Sequence, residues 1–270
     1  MIFLGLFMIA VNFGLISPLM VLRNRSYAGD TLTHLMLPGA LLGLILHSYI
    51  PWGEAWWFSV FGGVICGILG NYMIEAFIRL FHIPADTSTV LCLGILLALS
   101  LMGIFYFHEY ESFYGNFESL LMGDWQNMTV SHVIFIVLIT VFNLFVILFY
   151  RDHFDAWILD ADFAKIMGFK TGLLEKIFPL MITFSIVSSL MTVGGLVVSC
   201  LIIMPAIIAK PWSILHINCI LWSLFIMVSG VALYSITSIP LGSVLVLFGF
   251  FVLLTKTLWK IYLKQKRRNS

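Results

Sequence analysis

Asp30 and His34 stand four residues apart in Gly29-Asp30-Thr31-Leu32-Thr33-His34. On a helix that spacing puts both on one face, with Thr33 beside them. A carboxylate oxygen together with an imidazole nitrogen suits Zn²⁺, Mn²⁺ or Fe²⁺. The residues alone leave two readings open. Asp30 and His34 line a path for such an ion, or they form a buried pair hydrogen-bonded between helices.

The elements that must position them are apolar. Of 270 residues, 61% are hydrophobic and 10% charged, against roughly 25% charged in a soluble domain. So little charge cannot cover a water-facing surface, which excludes a soluble globular enzyme and leaves a polytopic membrane protein. A net charge of +1 provides no field to attract nucleic acid. A bilayer core is ~30 Å thick and takes about 20 helical residues. Apolar segments of that order recur near 2–22, 28–48, 57–80, 88–107, 131–150, 174–193, 195–209, 213–234 and 241–259. The expected fold is all-α: a bundle of about nine transmembrane helices, or eight if the short seventh segment does not cross. The expected organisation is a single membrane domain over 1–260 and a basic cytoplasmic tail over 261–270. The first segment has no basic n-region and no A-x-A cleavage site, so it reads as a retained span.

The basic residues orient these spans. With the N-terminus outside, all fourteen Lys and Arg fall on or near the cytoplasmic side. The opposite loops carry Glu54, Glu109, Glu111, Glu118 and Asp124 and no Lys or Arg. Arg25 then marks the inner interface. At ~1.5 Å per residue, Asp30 lies about 8 Å deeper and His34 about 14 Å deeper. Ionisable groups at that depth cost about 2.5–3.5 kcal/mol and usually line a pathway.

No G-x-x-x-x-G-K-[ST] loop is present, so the chain does not itself hydrolyse ATP. It also lacks G-x-S-x-G and H-E-x-x-H. The four cysteines, Cys66, Cys92, Cys200 and Cys219, lie in apolar runs without a CxxC pair, and read as packing residues. Glu75 and Arg79 are spaced for a local ion pair. Asp86 or Thr87 caps a helix after Pro84, and Glu175 complements the start of the sixth span. Gly63, Gly67 and Gly70 allow close helix packing on the third span. From Leu159 to Lys170 the pattern predicts a short amphipathic cytoplasmic helix, capped by Asp160 or Asp162 and ended by Gly168. Phe163, Ile166 and Met167 form its apolar face, fitted either to a partner's groove or to the membrane surface.

These motifs together resemble the permease family of metal-ion ABC transporters, the importers of zinc, manganese and ferrous iron. Ser26 to His34 followed by Leu37-Pro38-Gly39 is similar to the family's G-D-[AT]-x-x-H…L-P-G signature. Asp160 to Phe169 is similar to its F/D-x-x-F-A-x-x-x-G coupling segment. Val193 to Ala209 resembles its V-G-x-L-L-V-x-x-L-L-I-x-P-A-x-x-A run. Phe117 to Asp124 and Ile239 to Ser243 fall in the family's order. The resemblance spans about residues 20–254. Cys200 departs from the small or aliphatic residue of the family, and Lys210 stands alone where a basic cluster is common.

The resemblance implies a non-catalytic permease in a bacterial plasma membrane, the inner membrane of a Gram-negative cell. Its implied partners are cytoplasmic ABC ATPase subunits, an extracytoplasmic metal-binding protein and a second permease subunit, as a homodimer. No cofactor is held permanently, and the transported metal is zinc, alternatively manganese or iron. The implied metal contacts are Asp30 and His34. The implied ATPase-coupling residues are Asp160, Phe163, Ala164, Ile166, Met167 and Gly168. The alternatives are a secondary, ion-coupled metal transporter without an ATPase, and a structural membrane subunit. The first predicts inverted repeats, which the sequence does not display.

Overall fold

The computed structural model describes the chain except residues 24–25, 51–53, 107–122, 124, 211–212, 215, 238 and 270, together with some side chains inside helices, those of 26–30 among them. Among the described residues there are eleven α-helices and no strand. They are α1 (Ile2–Leu22), α2 (Ser26–Tyr49), α3 (Ala55–Phe81), α4 (Ala85–Tyr106), α5 (Val130–Phe149), α6 (Arg151–Leu159), α7 (Ala161–Ile166), α8 (Thr171–Val193), α9 (Gly195–Ala209), α10 (Ile217–Thr237) and α11 (Leu241–Asn269). Each of the nine apolar segments overlaps one of these helices. Six helices are long and apolar enough to cross a bilayer over their described residues: α1, α3, α5, α8, α10 and α11. Shorter apolar stretches lie on α2, α4 and α9.

α1 and α8 form the centre, each two-thirds buried over its apolar window. α1 touches α5, α8, α9 and α10. Its fully buried side chains include Ile9, Phe13, Ile16 and Leu19. Lipid offers no hydrophobic drive between helices, so close packing and interhelical hydrogen bonds must hold them. One such bond set joins three helices. Asn143 Nδ2 of α5 donates to Asn12 Oδ1 of α1 at 2.8 Å and to Ser185 Oγ of α8 at 2.7 Å. Ser223 Oγ of α10 donates to the Ala10 carbonyl. Inside α9, Pro205 interrupts the backbone ladder, and the next amide, Ala206 N, donates to Ser17 Oγ of α1 at 3.1 Å.

The turns follow local chemistry. Thr129 and His132 build a capping box at the start of α5, with Thr129 N donating to His132 Nδ1. Gly194, at φ +82°, reverses the chain between α8 and α9. α8 starts at Thr171, one turn before the expected segment, so Glu175 is an exposed residue within the helix and does not open it. The short helix expected within 159–170 forms as α7, with Gly168 just past its end, and Leu159 alone belongs to the preceding α6. Asp160 ends α6 and caps α7, because its extended backbone (φ −155°, ψ 110°) cannot continue a helix.

Two poles emerge. One gathers Arg23, Asp155, Trp157 and Lys256. Lys256 donates to the Ile208 carbonyl at the end of α9 and lies 5.3 Å from the Trp222 ring centroid. The other gathers Glu54, Trp56, Trp125 and Tyr234, with Gln126 Nε2 donating to Tyr234 Oη at 2.9 Å. α11 carries the basic tail as an unbroken helical extension.

Candidate functional site

α2 carries both members of the predicted pair. Asp30 and His34 lie one turn apart on a continuous helix, and His34 is half-buried beside the buried Thr33. The Asp30 side chain lies outside the described residues. Among the described residues no group of three or more His, Cys, Asp or Glu side chains comes together.

What holds α2 is its crossing with α3. Gly39 and Gly62 meet backbone to backbone, and Gly43 meets Phe58 and Ser59 in the same way. A Cβ on Gly39 would collide with the Gly62 carbonyl oxygen, and one on Gly43 with that of Phe58. Small residues permit such an approach in a membrane bundle. The two helices run antiparallel through this crossing. Following the register towards the start of α2 puts His34 level with Gly67 and Asp30 level with Asn71 on α3. Met36 fills the space over Gly67. Asn71 Nδ2 donates to the Gly67 carbonyl at 3.0 Å and to Thr183 Oγ1 of α8 at 3.4 Å. The level of Asp30 is thus marked on two neighbouring helices by polar side chains. Asn71 is the only carboxamide in α3, and that isolation in an apolar run is the signal that could have singled it out. Glu75 and Arg79 make an exposed ion pair at 2.5 Å.

The second candidate region is α7. Asp160 Oδ1 accepts from the backbone N–H of Asp162 and of Phe163, both at 3.0 Å. Gly168 takes φ +83°, and Phe169 N closes the end on the Ala164 carbonyl at 3.0 Å. Ala164 is fully buried. Phe163, Ile166 and Met167 are 58%, 83% and 61% exposed, which leaves an apolar face that the described residues do not cover. The Phe117 to Asp124 motif lies outside the described residues except for Gly123. Gly123, at φ +81°, sits against Val193 and Gly194 at the α8–α9 turn, where a Cβ would collide. Spacing did not reveal Arg23 and Trp157. The Arg23 guanidinium stacks 4.0 Å over the Trp157 ring, and its Nη1 donates to the Trp157 carbonyl at 3.1 Å.

A helical bundle with six helices long and apolar enough to cross a bilayer defines a multi-pass membrane protein. Residues 1–260 match the ABC 3 transport family, and the chain belongs to that family, the permease subunits of metal-ion ABC transporters. The zinc transport system membrane protein TroC of Treponema pallidum (strain Nichols) is 25% identical over 232 residues, 85% of this chain and 76% of that protein. The manganese transport system membrane protein MntC of Bacillus subtilis (strain 168) is 24% identical over 212 residues. That match covers 77% of this chain, which spans about half (47%) of the MntC length. PsaBC from Streptococcus pneumoniae, solved in complex with Fab, superposes with a TM-score of 0.78 at 20% identity. The match covers 94% of this chain and 89% of that one, and the fold is shared.

Proposed function

We propose that this chain is the permease of an ATP-driven importer of divalent metal, with zinc as cargo in preference to manganese or ferrous iron. The observation that carries the reading is the Asp30–His34 pair on α2, one turn apart and level with Asn71 and Thr183. A divalent ion crossing a bilayer sheds water and needs replacement donors on the way. Two copies of the chain, each giving a carboxylate and an imidazole, supply a transient site. Incomplete coordination in each copy keeps the ion mobile. α7 offers Phe163, Ile166 and Met167 to a cytoplasmic ATPase, and the opposite pole receives metal from an extracytoplasmic binding protein. Nine helices span the bilayer, α1 to α5 and α8 to α11, with the N-terminus outside and the C-terminus in the cytoplasm. The collection of Arg23 and Lys256 at one pole supports this direction.

The test is uptake of labelled zinc and manganese in vesicles holding the permease with its ATPase and binding protein. Asp30→Asn and His34→Gln keep polarity and approximate size, so the protein inserts while uptake falls sharply. Wild-type uptake by both variants overturns the path.

A further inference from the structure

We propose that Arg23 is a positioning residue, the joint through which movement of α6 and α7 reaches the α1–α2 helix pair. This rests on the ATPase-docking reading above. α7 has six residues and buries only Ala164, so it cannot resist a load on its apolar face alone. The Asp160 cap passes that load to α6. α6 buries two side chains, Phe154 and Trp157, and Trp157 meets Phe178 at the foot of α8 edge to face at 5.7 Å.

From α1, Arg23 closes on the same tryptophan twice, through the ring face and through the carbonyl. A planar guanidinium can stack and donate together, which an ammonium cannot do in the same geometry. The Trp157 indole N–H is buried without a hydrogen-bond partner among the described residues. The site uses the ring face of the tryptophan and not its polar handle. Arg23 is the C-cap of α1, and α2, with His34, starts at Ser26. A displacement of Trp157 therefore acts on the end of α1 beside the start of the metal-bearing helix. α6 makes a second tie. Asp155 Oδ1 accepts from Ile214 N at 2.7 Å, holding the connection between α9 and α10. Arg23 and Asp155 together fix α6 to the end of α1 and to the connection between α9 and α10.

The experiment compares wild type, Arg23→Gln, Arg23→Lys and Trp157→Phe, each purified with its ATPase and reconstituted with metal-loaded binding protein. Metal imported and ATP hydrolysed are measured in the same vesicles. Arg23→Gln keeps wild-type ATPase stoichiometry and hydrolysis but lowers metal imported per ATP about fivefold, the order set by loss of one half-buried cation–π contact. Arg23→Lys restores part of that ratio. Trp157→Phe keeps a ring face and gives up no indole hydrogen bond, so it also loses only part. An unchanged ratio in Arg23→Gln overturns the joint. So does a loss of hydrolysis and thermal stability in parallel with uptake, because that marks a purely structural contact. Failure of the wild-type chain to bind any ATPase overturns the functional reading, and the joint with it.

Discussion

Gly39 of α2 and Gly62 of α3 touch backbone to backbone, with no room for a methyl group on either. This contact sets how close the helix bearing Asp30 and His34 lies to its neighbour. Gly39→Ala therefore forces α2 and α3 apart, at a cost of about 1–3 kcal/mol for overpacking. Among the described residues nothing lies within 4 Å of a Cβ built on Gly94 of α4, so Gly94→Ala is neutral or slightly stabilising. Thermal unfolding in one detergent should rank Gly39→Ala below wild type and Gly94→Ala level with it. Equal midpoints for the two variants refute the steric account.

The Asn12–Asn143–Ser185 set makes a second prediction. All three side chains are fully buried, and Asn143 Nδ2 serves both partners. Asn143→Ala removes both bonds. Interhelical bonds in membranes contribute about 0.6 kcal/mol each, up to about 1.7. Asn143→Ala should lower stability by about 1–2 kcal/mol, and adding Asn12→Ala should cost less than it does alone. A double-mutant cycle on unfolding free energies measures the coupling, and strict additivity contradicts a shared network.

Phe163 of α7 is largely exposed, so the described bundle does not need it for packing. Phe163→Asp should leave the thermal midpoint of the permease alone unchanged, while the ATPase no longer co-purifies. Asp160→Ala should act differently. It removes two cap bonds, at a cost of about 1 kcal/mol to a short helix, and should weaken ATPase binding without abolishing it. Normal stoichiometry in Phe163→Asp removes the docking role.

The membrane direction has its own check. A reporter active only in the cytoplasm, fused after Ser270, should be active, and the same reporter placed beside Glu54 should be silent. The reverse pattern in well-expressed fusions inverts the topology.

The sequence by itself determined what depends on spacing along one helix. Apolar segments of span length gave every long helix. The i, i+4 relation gave Asp30 and His34 a common face and brought Glu75 and Arg79 into an ion pair. The chemistry of an aspartate before a helix and a glycine after it gave the two ends of α7, although not the separate helix α6 that ends at the same Asp160. These features are decided within a turn or two of chain, where local geometry leaves few choices. Tertiary structure decided which helices meet and at what level. The sequence drew attention to Gly63, Gly67 and Gly70 on α3, yet the tightest approach falls on Gly39, Gly43 and Gly62. Arg23 and Trp157 are 134 residues apart, and nothing near either residue signals the other. Asn71 and Thr183 reach the level of Asp30 only through the registers of α2, α3 and α8. Those registers come from side-chain packing summed over whole helix faces, and no local spacing records that sum.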